Sequence, residues 1–146
     1  MEHSRKRLKE ASALVLLFTA FTFVRLLIEL FVIGFEGDPA QAGLTEELIM
    51  ITKIVLAVIS FIVLIPQIYI GVKGLKIAKK PASTKGHIIW AVIILCFSVF
   101  SVISIIFDII GNVNLVDSVI ALLDHSLDVI VYCMYIKYAH SVLRGV

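Results

Sequence analysis

The strongest constraint on this chain is the recurrence of long apolar runs separated by short stretches rich in Gly, Pro and charge. An α-helix needs about 20 consecutive apolar residues to cross a hydrocarbon layer about 30 Å thick. Runs of that kind predict membrane spans over residues 11–34, 48–72, 87–110 and 115–138. A soluble core of this size has no room for so much apolar side chain: AVILMFWYC make up 60% of the residues and DEKR 16%, with a mean hydropathy of +1.06. The expected fold is an all-α integral membrane protein, four transmembrane helices in two hairpins forming a compact bundle. Residues 1–146 then make a single four-span domain, with no extramembrane domain expected.

The breaks between runs have their own chemistry. Gly37-Asp38-Pro39, with Glu36, Glu46 and Glu47 around it, stops the first span and prefers water. Thr45 followed by two glutamates suits the N-terminus of the second span. Pro66 lies inside that span and is expected to kink it. Pro81-Ala82-Ser83-Thr84 reads as a helix stop and a new start. Gly111-Asn112-Val113-Asn114 reads as a tight turn, because Gly and Asn tolerate left-handed backbone. Arg5, Lys6, Arg7 and Lys9 ahead of an apolar run, with Ala40-Gln41-Ala42 downstream, imitate a signal peptide. The run is longer than the roughly 7–15 residues of a signal h-region, so an uncleaved first span is expected.

Basic residues in short connections are retained on the cytoplasmic side. The amino-terminal segment, the middle connection and the carboxy-terminal segment are basic, whereas the first and third connections contain neither Lys nor Arg. The expectation is a multi-pass cell-membrane protein with both termini cytoplasmic. Trp90, Tyr69, Tyr135 and Tyr138 fall where an inner interfacial aromatic belt is expected. Lys73, Lys76, Lys79, Lys80 and Lys85 would meet anionic headgroups at the inner face. A formal charge of +2 gives no footprint for nucleic acid. Cys96 and Cys133 lack the spacing of a redox pair or zinc site and read as packing residues. No cofactor is expected.

Polar positions within the runs show which helix faces look inward, since a polar side chain facing lipid is costly. At about 100° per residue, Thr22, Arg25 and Glu29 share a face of span one. Lys53, Ser60, Gln67 and Gly74 line up on span two with Gly71, and Ser101, Ser104 and Asp108 on span three. On span four, Asp117, Asp124 and Asp128 lie within about 40° of one another, with His125 at the flank. The serines and glycines are explained by close helix contacts. The ionisable groups Arg25, Glu29, Lys53, Asp108, Asp117, Asp124 and Asp128 form an intramembrane charge cluster in which acids outnumber bases.

Counting about 1.5 Å per residue from the outer ends puts Arg25 and Asp124 at the same depth, about 13 Å, and makes them natural partners. Glu29 and Lys53 are shallower, at about 7 and 9 Å, and suit each other or Asp117. Asp128 is the deepest acid and has no named cation. Such a group becomes neutral, holds a cation or sits in water. Asp124-His125-Ser126-Leu127-Asp128 therefore has two readings. Both carboxylates clamp Arg25, which the single D-x-x-x-D favours, or Asp124, His125 and Asp128 serve a proton or a cation, with any metal undetermined. The function expected is an interaction or accessory protein, or an oligomeric bundle associating with itself or a membrane partner. The alternative is a cation or proton transporter or channel subunit with an outward-facing acidic cluster. An enzyme is not expected, because no nucleophile–base pair or phosphate-binding loop is present.

Overall fold

A computed structural model describes residues 2–28, 46–80, 84–111 and 115–145. They form helices and turns with no strand: α1 Glu2–Ile28, α2 Glu46–Lys79, α3 Gly86–Ile110 and α4 Leu115–Arg144. All four helices are long and apolar enough to cross a membrane. Their outward faces carry large apolar side chains: on α3 alone Phe97, Phe100 and Phe107 are 70%, 69% and 68% exposed, a stripe of the kind that meets lipid or another polypeptide.

Three helices outrun the apolar stretches that predict them. α1 starts at Glu2 rather than residue 11, because Arg, Lys, Leu, Glu and Ala are good helix formers whether or not they are apolar. Its first turns carry an i,i+3 ion pair, Arg7 Nη1 to Glu10 Oε2 at 3.1 Å. α2 continues to Lys79 rather than stopping at residue 72, so Lys73, Lys76 and Lys79 sit on helix and not in a loop. It remains one helix through Pro66. α4 continues past residue 138 to Arg144 and closes at Gly145, whose φ of 73° is the left-handed conformation glycine adopts at helix ends. Gly111 behaves otherwise. Its φ of −77° is right-handed, and its N–H donates to the Phe107 carbonyl at 2.9 Å, continuing the helical ladder instead of turning through left-handed space.

α1 packs against α2 on one side and α4 on the other, and α3 packs mainly against α4; α2 touches α3 and α4 only lightly. The Ser4 and Ser141 hydroxyls, 3.1 Å apart, bring the start of α1 and the end of α4 to one end of the assembly. The end of α2 and the start of α3 join them there. Most of the buried described residues lie toward this end: Leu8, Ala11, Ser12 and Val15 on α1, Ile70 and Ile77 on α2, His87 and Ala91 on α3, and Tyr132, Tyr135, Ala139 and Val142 on α4.

Small residues make that packing possible. A Cβ at Gly74 would collide with Ser12 Oγ and lie 2.5 Å from Tyr135 Cε2; one at Gly71 would lie 2.5 Å from Leu16 Cγ. Where helices lie among lipid tails, which are as apolar as leucine, close backbone approach through such residues replaces the hydrophobic drive that joins helices in water. Hydroxyls on α1 satisfy themselves within the helix: Ser12 Oγ donates to Leu8 O at 2.6 Å, and Thr19 Oγ1 to Val15 O at 2.7 Å.

Candidate functional site

Two polar groupings stand out, one toward each end of the helices. The first comes from α1 and α4. Arg25, in the last turn of α1 described, places Nη1 3.6 Å from Oδ2 of Asp124, which are the two residues that equal depth pairs in the sequence. Their setting differs from a sealed interior, since the side chains are 64% and 52% exposed. His125 and Asp128 follow on α4 and are half-buried. Asp128 lies one helical turn from Asp124 toward the packed end, as the i,i+4 spacing requires.

Glu29 lies outside the described residues. Lys53, Asp108 and Asp117 belong to α2, α3 and α4, but their side chains are outside the description. The described part of the charge cluster is therefore Arg25, Asp124, His125 and Asp128. Among the described residues no three His, Cys, Asp or Glu side chains come together as metal ligands would. One helix supplies Asp124, His125 and Asp128, which is at most part of a coordination shell.

The second grouping is at the packed end and was not marked by charge. Tyr135, fully buried, donates its hydroxyl proton to the Ile70 carbonyl on α2 at 3.0 Å, tying α4 to α2 across the interior. The expectation of an interfacial ring thus fails for Tyr135: its ring is core, and its hydroxyl has found a backbone acceptor in place of a headgroup. Tyr69 and Trp90 do have exposed rings. His87, at the first turn of α3, is also fully buried and stands edge-on to Tyr135, with ring centres 5.9 Å apart and planes at 84°. Neither imidazole nitrogen has a hydrogen-bond partner among the described residues, an uncommon state for a buried polar ring. Ser12 and Gly74 complete this contact set.

The sequence signal for the second grouping was present but silent about contact. Ala11, Ser12, Val15 and Thr19 fall on one face of α1 at helical spacing, opposite Gly71 and Gly74. Neither Cys96 nor Cys133 packs in the core. Both thiols are exposed, because most of each helix surface in so small an assembly faces outward.

The five lysines cluster at the packed end. Lys73 is half-buried on α2, and Lys76, Lys79, Lys80 and Lys85 are exposed. Comparison with protein-family descriptions, curated proteins and solved structures finds no match.

Proposed function

We propose that the chain is a four-span membrane protein that acts by associating with another membrane-embedded surface, a second copy of itself or a partner, through the half of the helices that carries Arg25 and Asp124. The observation that supports this is the exposure of that ion pair, 64% and 52%, within otherwise apolar helices. Charge open to hydrocarbon is expensive, so such a pair is expected to be covered by protein or bathed in water. Cover by a second polypeptide removes the cost and uses the pair to fix helix register, in the way polar groups specify membrane helix contacts. In this reading the termini and the α2–α3 connection are cytoplasmic, and the lysines of that connection rest on anionic headgroups. No catalytic role is assigned.

The second option, water, gives the alternative: an outward vestibule in which Asp124, His125 and Asp128 serve a cation or a proton. The i,i+4 carboxylates beside His125 favour it, and four helices make it a subunit of an assembled pathway.

Two measurements separate these readings. Native mass determination and crosslinking in bilayers should find oligomers, which Arg25→Ala and Asp124→Ala weaken. A monomer in every condition and without a captured partner overturns the association reading, whereas cation flux in liposomes that depends on Asp124 supports the alternative. Topology is tested separately: Asp38→Cys and Ser83→Cys, each in a Cys96→Ser, Cys133→Ser background, should label from opposite sides of the membrane. Labelling from the same side overturns the four-span arrangement.

A further inference from the structure

Between the first turns of α3 and the last turns of α4 lies an open cleft of about 390 Å³, lined by Lys85, Ile88, Ile89, His140, Leu143 and Arg144. Its composition is two-sided. Lys85, His140 and Arg144 are basic, no acidic residue lines it among the described residues, and Ile88, Ile89 and Leu143 form an apolar remainder. It sits where the apolar run of α3 begins and where α4 ends.

The helix start beside it adds to the field. Lys85 is the N-cap of α3 and makes no side-chain cap, and the first turn contains no acidic residue to neutralise the positive dipole end. The Ile88 and Ile89 N–H groups both turn back to the Lys85 carbonyl, at 3.0 and 3.3 Å.

We infer that this cleft is a binding site for the phosphate of an anionic phospholipid in the cytoplasmic leaflet. Arg144 offers a guanidinium fork suited to two phosphate oxygens, Lys85 a point charge, and His140 a ring nitrogen. The volume is near the lower end for a ligand pocket, which suits a headgroup whose acyl chains run along Ile88 and Ile89, one turn into α3. A soluble phosphate would use the basic side and leave the apolar side unoccupied, so the lipid is the better match. The site differs from a diffuse attraction to lysines: Lys73, Lys76, Lys79 and Lys80 are not part of it, whereas α4 contributes half of it.

The inference rests on the membrane reading and its orientation but not on oligomer formation, and the cysteine-labelling result tests the orientation without reference to lipid binding. The test uses the full chain in phosphatidylcholine nanodiscs, titrated with phosphatidylglycerol, reading retained lipid by native mass spectrometry and the shift in Tm. The Lys85→Gln, Arg144→Gln pair should weaken phosphatidylglycerol binding about thirtyfold or more, as expected when two direct charge-assisted contacts to the phosphate are lost. The Lys79→Gln, Lys80→Gln pair removes the same charge and should change binding less than about threefold, since it touches no part of the cleft and acts on it only through screened charge. Circular dichroism on each variant confirms that helix content is retained. Should the first pair fail to fold, Leu143→Trp, which fills the cleft without removing charge, takes its place and should weaken binding to a similar degree. Equal losses in the two lysine-containing pairs would reduce the effect to surface charge and overturn the site. Inorganic phosphate giving the same Tm shift in pure phosphatidylcholine would overturn the lipid assignment.

Discussion

Gly74→Ala is the sharpest probe of how these helices are held together. The added Cβ would collide with Ser12 Oγ on α1 and lie 2.5 and 2.9 Å from Cε2 and the hydroxyl of Tyr135 on α4. Non-bonded carbon atoms prefer about 3.5–4.0 Å, so α1 and the tyrosine ring must each retreat by about 1 Å. The neighbours cannot yield cheaply. Ser12 and Tyr135 are fully buried, and the tyrosine is tethered by its bond to Ile70 O. Overpacking of this kind costs about 1–3 kcal/mol, and displacing the hydroxyl from its carbonyl adds about 1 kcal/mol. The expected loss is therefore about 2–4 kcal/mol, measured as reversible unfolding in mixed micelles. Gly71→Ala should cost less, because the atoms it meets first belong to the flexible Leu16 side chain, with Ser12 O more distant at 3.3 Å. Gly86→Ala is the control: its nearest neighbour is Tyr69 Oη at 3.5 Å, an ordinary contact, so the change should fall within about 0.5 kcal/mol of neutral. If Gly74→Ala proves no more harmful than Gly86→Ala, the close approach of α1, α2 and α4 at this point is refuted.

Other substitutions test neighbouring parts of the argument. Tyr135→Phe keeps the ring and removes one hydrogen bond, so it should cost about 0.5–1.5 kcal/mol in the same unfolding assay; a neutral result would remove the tie to Ile70. His87→Leu should be neutral or stabilising, since no side-chain hydrogen bond is lost and a buried polar ring is replaced by an apolar group, and a loss above about 2 kcal/mol would show that the imidazole has a partner. Arg25→Ala and Asp124→Ala should each cost under about 1 kcal/mol where the pair meets water but several where a second polypeptide covers it, so a stability loss that grows with oligomer formation supports association; strict additivity in the double variant would remove the pair. Asp128→Asn should leave the fold intact and abolish any cation-dependent rise in Tm if the alternative reading holds; a rise that persists in the variant would place the cation elsewhere.

Much of this arrangement is legible in the sequence because long apolar runs obey one dominant rule. Backbone groups in hydrocarbon must be satisfied within the segment, so a run of about 20 apolar residues is a helix and little else. The same rule hid the helix ends. Lys73, Lys76 and Lys79 continue α2 with no apolar signal, because helix propensity carries on where hydrocarbon stops. Depth counting matched Arg25 with Asp124 because both lie on long uninterrupted helices, along which rise is a reliable ruler. It could not supply exposure, which depends on how far neighbouring helices close around the pair. The buried position of Tyr135 escapes the sequence for a related reason. Sequence places it near an interface by depth, but whether an amphipathic ring points outward or toward a carbonyl on α2 is decided by helix rotation.

Rotation in turn follows from the small residues. Gly71 and Gly74 admit Leu16 and Ser12, and this approach aligns Tyr135 with the Ile70 carbonyl and His87 with the tyrosine ring. The helices are thus fixed at the basic end by contacts that involve neither Arg25 nor any of the acids on α4. Asp124 and Tyr135 are eleven residues apart on α4, about 16 Å along its axis, beyond the range at which substitutions ordinarily couple. A charge pair that does not hold the packed end together can be kept partly open at modest cost to the fold. That separation allows the Arg25 end to meet a partner, or to hold water, while the Tyr135 end maintains the register of the helices.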